Sequence, residues 1–343
     1  MKKTLFVVAV AAIAMTACTN EKNEYVGNNS PKEIAFMPVA QKTTRSVDNQ
    51  SYAVTGTTFP TTLDMYVAAY DANKGTTGGD YFGKTKFSNS SSTIWTGGKY
   101  WPFAECWLNF LAVANVSSGS AVTMSDASGA TVTLADNSSN QYDLMYAIGH
   151  GEVTLSGNTL SYTNATAAME FKHAQSWLNF KVKASVAGIT ITGITVHGGV
   201  YEGSAGVTFT NYNYKYTDGT NPQSVAVAWT VNPANAKDAS VHMASNHAVS
   251  NSTFEKVGDG VIMIPRDDAF TGFTINYTTA DSKAYSYTYT FANATEQPDF
   301  VAGTQYIYNI LFNMHEIQIS ATVADWNSST TNINTEGSPG TIG

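Results

Sequence analysis

Apolar and polar residues alternate in short runs along almost the whole chain, and no run keeps helical spacing for three turns. Leu63, Met65, Val67 and Ala69 share one face of such a run, and Tyr66, Ala68 and Tyr70 the other. Cys106 to Ala114 is nearly all apolar, as a central strand covered on both faces must be. Thr93-Ile94-Trp95 and Lys99-Tyr100-Trp101 flank Gly97-Gly98, which predicts a hairpin. Further strands are predicted at 122–124, 131–134, 153–155 and 159–162. Residues 169–182 read as strand, with a short helical turn near Ala165. The second half repeats the style at 189–196, 207–209, 225–231, 261–264, 273–277, 285–291, 306–312 and 317–323. Short strands at this spacing point to an all-β protein built of β-sandwiches.

The start of the chain has a different character. Lys2 and Lys3 precede an apolar run from Leu5 to Ala14, which is too short to span a bilayer and reads as a secretory signal. Met15-Thr16-Ala17-Cys18 resembles the lipobox of bacterial lipoproteins, which would make Cys18 the lipidated first residue of the mature chain. Ile34-Ala35-Phe36 is a short alternating stretch ahead of Pro38, and Gln41 to Ser46 is an exposed-looking linker around Arg45. With Cys18 lipidated, Cys106 stands alone and is read as a small buried hydrophobe. Only 13% of residues are charged while 12% are aromatic, so Ser, Thr, Asn and Gly must supply most of the polar surface. A net charge of −8 without a basic run beyond Lys2-Lys3 disfavours nucleic acid as a partner.

The chemistry of catalysis is not spelled out anywhere. There is no Gly-x-Ser-x-Gly elbow, His-Glu-x-x-His, phosphate-binding loop or Cys-x-x-Cys pair. Gly149-His150-Gly151 lacks the third glycine of a dinucleotide fingerprint and reads as a turn. His242 and His247 are spaced for opposite strand faces, and Asp267-Asp268 reads as a solvated turn, so no metal or cofactor is implied. His173, beside Phe171 in an apolar stretch, is expected to be a satisfied core histidine. Trp95, Trp107, Trp177 and Trp229 lie in strand-like runs and are expected to pack rather than to stack on sugar.

The ordered set of segments resembles the fimbrillin family, the type V pilins of Bacteroidales-type bacteria. It comprises the lipobox at Cys18, Ile34-Ala35-Phe36 followed by Thr43-Thr44-Arg45, Tyr100-Trp101-Pro102, and Asp143-Leu144-Met145-Tyr146-Ala147. It continues with Met169-Glu170-Phe171-Lys172-His173-Ala174, Ile262-Met263-Ile264-Pro265, Tyr306-Ile307-Tyr308-Asn309-Ile310 and Val323-Ala324-Asp325-Trp326. The resemblance implies two transthyretin-like β-sandwich domains in tandem and no enzymatic activity. The corresponding division is a signal peptide at 1–17, a propeptide with a removable first strand at 18–45, sandwiches at 46–187 and 188–327, and a polar tail at 328–343. It also implies a palmitoylated lipoprotein displayed on the outer membrane as part of a fimbrium.

The same resemblance implies that an arginine-specific or trypsin-like protease cuts between Arg45 and Ser46. The plug strand around Ile34 and Phe36, with Met37 and Val39 as further anchors, would then leave a groove. A donor strand from another pilin subunit would fill it, and in this chain Thr331, Ile333 and Thr335 are the alternating donor candidates, interrupted afterwards by Gly337, Pro339 and Gly340. Stalk, tip and accessory positions stay open at this point, as do a host surface or a glycan as adhesion partner. The alternative reading is a monomeric glycan-binding surface lipoprotein with exposed Trp or Tyr.

Overall fold

The computed structural model describes residues 30–40, 59–71, 79–91, 93–116, 119–125, 129–134, 141–201, 205–210, 225–265, 270–291, 297–314, 316–325, 331–333 and 340–341. Among these, every regular element longer than one short 3-10 turn (Pro233–Asn235) is a β-strand. The first ten are β1 (Glu33–Ala40), β2 (Met65–Asp71), β3 (Asp80–Ser91), β4 (Ile94–Tyr100), β5 (Cys106–Ala114), β6 (Ala121–Ser125), β7 (Gly129–Leu134), β8 (Met145–Ser156), β9 (Thr159–Thr163) and β10 (Thr166–His173).

Strands β10-β1-β4-β3-β2-β5-β8 are hydrogen-bonded in that order, and β8 pairs again with β10 at Tyr146–Lys172 and Met145–His173. The ladder therefore returns to its starting strand and makes a barrel, with β9 appended to the far side of β8. The interior is apolar and aromatic: Phe36, Phe59, Phe87, Trp95, Trp101, Phe110 and Phe171 are all at most 2% exposed.

The other face of β5 is covered as well. Leu111 and Val113 pack with Ala68 and Tyr70 of β2 beneath a four-stranded sheet, which explains why β5 lacks a polar face. That sheet has the order β14-β13-β7-β6, with β13 (Ala205–Thr210) and β14 (Ala226–Thr230). It thus draws strands from both sides of residue 187.

The remaining strands are β11 (Ser176–Ala184), β12 (Thr190–Tyr201), β15 (Ala236–Ser240), β16 (His247–Ala248), β17 (Glu255–Met263), β18 (Phe270–Thr278), β19 (Ala284–Thr290), β20 (Thr304–Phe312), β21 (Glu316–Asp325), β22 (Thr331–Ile333) and β23 (Gly340–Thr341). They form two sheets, β17-β11-β20-β21-β22 with β23 on β21, and β15-β12-β18-β19 with β16 on β12. A second core lies between them, with Phe180, Val196, Phe273, Tyr308 and Phe312 among its buried members. The chain passes from the first core to the second between Phe171 and Leu178.

Three local expectations are corrected. Residues 94–100 are one continuous strand rather than a hairpin, although Gly98 does take a positive φ of 67°. Gly97 is there for close approach: a Cβ would sit 2.9 Å from the Phe87 ring and 2.8 Å from the Lys86 carbonyl. Gly149 and Gly151 likewise lie inside β8 and not in a turn. Cβ atoms on them would meet Met169 Sδ at 2.5 Å and the Trp101 ring at 2.4 Å, so their bareness lets bulky side chains fill the barrel. The predicted helical turn near Ala165 is a β-turn between β9 and β10, with Asn164 at φ 54°.

Candidate functional site

Strand β1 is the element on which the barrel's closure depends. It runs parallel to β10 from Ala35 to Ala40 and antiparallel to β4 from Glu33 to Phe36. Its period of two turns Ile34, Phe36, Pro38 and Ala40 inward, where all four are buried. Met37 and Val39 have the opposite parity and are 44% and 39% exposed, so they are not anchors as expected above. The β4 ladder stops at Phe36, two positions before Pro38, whose ring has no N–H to give.

Phe36 is the centre of the arrangement. It is fully enclosed, and its ring meets Phe87 and Phe110 edge-on, each with a centroid separation of 4.9 Å. Opposite it on β4 stands Trp95, whose Nε1 donates to the Leu63 carbonyl at 2.9 Å. Phe59, absent from the sequence reading, packs on Trp95 and Phe171 at 5.4 and 4.6 Å. The start of the strand is held by the Trp101 N–H donating to the Lys32 carbonyl at 2.8 Å. The Gly98 N–H also donates to Glu33 Oε1, at 3.0 Å.

The buried interior beneath the slot is apolar. Cys106 is 1% exposed in the same core, and burial raises the Tyr162 phenol pKa. A buried polar cluster lies instead beside the segment in which the chain passes from the first core to the second. His173 Nδ1, at the end of β10, donates to Asp143 Oδ2 at 2.8 Å, and both side chains are fully buried. Asn115 Nδ2 donates to the Asp143 carbonyl, the Leu144 N–H to Gln175 Oε1, and Trp229 Nε1 to the Ala174 carbonyl, at 2.8–2.9 Å. The segments around Asp143 and His173, far apart in sequence, are therefore two halves of one joint, and His173 is a core histidine, as expected, held through Nδ1.

The other predicted positions separate. Ile34 and Phe36 both line the barrel interior. Cys18, Arg45, Ser46 and Thr335 lie outside the described residues. Thr331 to Ile333 form β22, antiparallel to Ala321–Val323 of β21. His242 Nδ1 donates to Asp259 Oδ2 at 2.8 Å, while His247 approaches Glu255 at 3.7 Å. No three His, Cys, Asp or Glu side chains among the described residues converge on one point. Trp95, Trp101 and Trp177 are buried, with Trp107 and Trp229 partly so.

Among solved structures, a protein assigned to cell adhesion in Bacteroides uniformis is similar at 18% identity, with 86% of this chain and 99% of that one covered and a TM-score of 0.45. A fimbrial assembly protein of Parabacteroides distasonis is similar at 11% identity over 89% and 100% of the two chains, TM-score 0.41. The fimbrial anchor protein Mfa2 of Porphyromonas gingivalis is similar at 9% identity over 84% and 97%, TM-score 0.33. No curated protein matches the chain. The profile described as fimbrillin-like matches residues 34–326, from the first inward side chain of β1 to Trp326, and this chain therefore belongs to the fimbrillin-like family.

Proposed function

We propose that this chain is a non-enzymatic subunit of a surface fimbrium, joined to its neighbour by exchange of strand β1 for a strand of another subunit. The observation that carries this reading is that, among the described strands, β1 alone bridges β4 and β10, and that Arg45 follows its last residue by only five positions. A cut between Arg45 and Ser46 would sever β1 from the barrel without touching any other described strand. Loss of β1 would bare two rows of backbone hydrogen-bonding groups, on β4 and β10, over an apolar trench. An incoming strand would satisfy the rows and refill the trench. Ile34 and Phe36 together bury side chains worth roughly 1.5–3 kcal/mol each, so the joint needs no cofactor.

The rest of the assembly follows from the family. Cys18 would carry the lipid that tethers the subunit to the outer membrane, with its body on the cell surface. A trypsin-like or arginine-specific protease would supply the cut. The segment Thr331, Ile333, Thr335 is the chain's own donor candidate, and the two bodies are assigned to the transthyretin-like sandwich class, divided as the resemblance implies. A glycan-binding monomer gains no support from the tryptophans, three of which are enclosed.

Limited digestion of the lipid-free precursor with an arginine-specific protease tests the reading. Cutting after Arg45 should let an added, mass-tagged 31–41 peptide replace β1, and Arg45→Ala should take up none. Equal uptake of the peptide by Arg45→Ala would refute it.

A further inference from the structure

We infer that the slot left by β1 and the segment 331–335 of this chain are a mismatched pair, so that the strand filling the slot comes from a chain of different sequence. That partner strand carries an aliphatic residue, an aromatic residue two positions later, and small apolar residues at the next two inward positions. The inference rests on the strand-exchange reading above and adds the identity of the partner's inserted side chains.

The slot states its own requirements. An occupant that keeps the direction of β1 runs parallel to β10 and antiparallel to β4, and a reversed one would still bring only Thr331, Ile333 and Thr335 inward from the segment 331–335. Its inward side chains then take the places of Ile34, Phe36, Pro38 and Ala40. The second place is a closed aromatic box, walled by Phe87 and Phe110 at 4.9 Å and faced by Trp95 across the ladder. The third and fourth places are held by Pro38 and Ala40, both small and buried.

Residues 327–343 contain no aromatic side chain. With Thr331, Ile333 and Thr335 at the first three places, the box is underfilled and two hydroxyls enter an apolar wall. Sliding the segment by two residues puts Thr335 in the box, and sliding it by one turns Asn332 and Asn334 inward. Underfilling a core and burying an unpaired hydroxyl each cost enough that occupancy by this segment falls by at least about 100-fold relative to β1. The same segment also has a place on its own sheet, where Thr331–Ile333 pair with Ala321–Val323.

Peptide exchange into the trypsin-cut full chain, followed by native mass spectrometry, tests this. Four mass-tagged peptides are compared: residues 31–41, the same with Phe36→Ala, residues 327–340, and the latter with Ile333→Phe. The 31–41 peptide should replace the cut strand. The 327–340 peptide should need at least about 100-fold more to reach equal occupancy, with Ile333→Phe recovering tenfold or more. Occupancy by unmodified 327–340 within tenfold of 31–41 would overturn the mismatch while leaving strand exchange intact. Failure of 31–41 itself to enter at saturating concentration would overturn strand exchange, and the inference with it.

Discussion

Replacing Phe36 by alanine in the uncut precursor probes whether β1 is a true part of the barrel core. The ring is fully enclosed and meets two other rings edge-on at 4.9 Å. A Phe→Ala change at such a site costs about 3–5 kcal/mol, since the lost transfer free energy is joined by a cavity that rigid aromatic walls cannot close. The two edge-on contacts account for roughly 0.5–1.5 kcal/mol each of that sum. Met37, the next residue on the same strand, is 44% exposed, so Met37→Ala should stay within about 0.5 kcal/mol of the parent. The contrast is large against the roughly 5–15 kcal/mol that holds a domain folded. Urea unfolding followed by tryptophan fluorescence measures it, because Trp95 and Trp101 are each 1% exposed in the same core. A difference between the two variants below about 1 kcal/mol would refute the reasoning, since β1 would then be a strap lying on a barrel complete without it.

Three further outcomes follow from other parts of the molecule. Asp143→Ala should lower stability by about 3–5 kcal/mol, because it strands the buried His173 ring, and Asp143→Asn, which keeps an acceptor, should cost clearly less in the same urea unfolding. Lys256 lies over the Trp177 ring at 4.3 Å, and burial lowers its pKa to about 8. The folded state thus disfavours the charged form: the penalty is complete below pH 8 and is relieved as pH rises towards the unfolded value, by on the order of 3 kcal/mol. Above about pH 10 the effect reverses, because Tyr146, Tyr277, Tyr287 and Tyr306 have pKa values raised by burial and the unfolded chain ionises its tyrosines first. Stability should therefore peak near pH 9–10 in denaturant titrations, and Lys256→Met should flatten the rise between pH 8 and 9.5; an unchanged rise would refute the assignment. Finally, the Cys106 thiol should resist aromatic disulfide reagents in the native precursor and react fully in denaturant; fast native labelling in a Cys18→Ser background would contradict its enclosure.

Much of the local order was legible in residue types. The nearly all-apolar run of β5 announced a strand covered on both faces, and the structure places Phe110 in the barrel and Leu111 under the four-stranded sheet. The parity of β1 separates Ile34 and Phe36, which face inward, from Met37 and Val39, which face out. Glycines are ambiguous in sequence. A glycine that lets the chain turn and one that lets Phe87 or Met169 come close are the same letter, and only the neighbour across space tells them apart.

Alternation determined that the chain would be all-β, which side chains would point inward, and that Ile34 and Phe36 would anchor the segment ahead of Arg45. A period of two records which face is buried but not against what, because every apolar strand face suits many partners equally well. Pairing was decided in three dimensions: β1 beside β10, β11 beside β20, β7 beside β13, and Asp143 against His173. These contacts join residues remote in sequence, and loop closure sets no local signature for them. That β1 closes a barrel, and does not merely edge a sheet, is therefore a property of the folded molecule alone.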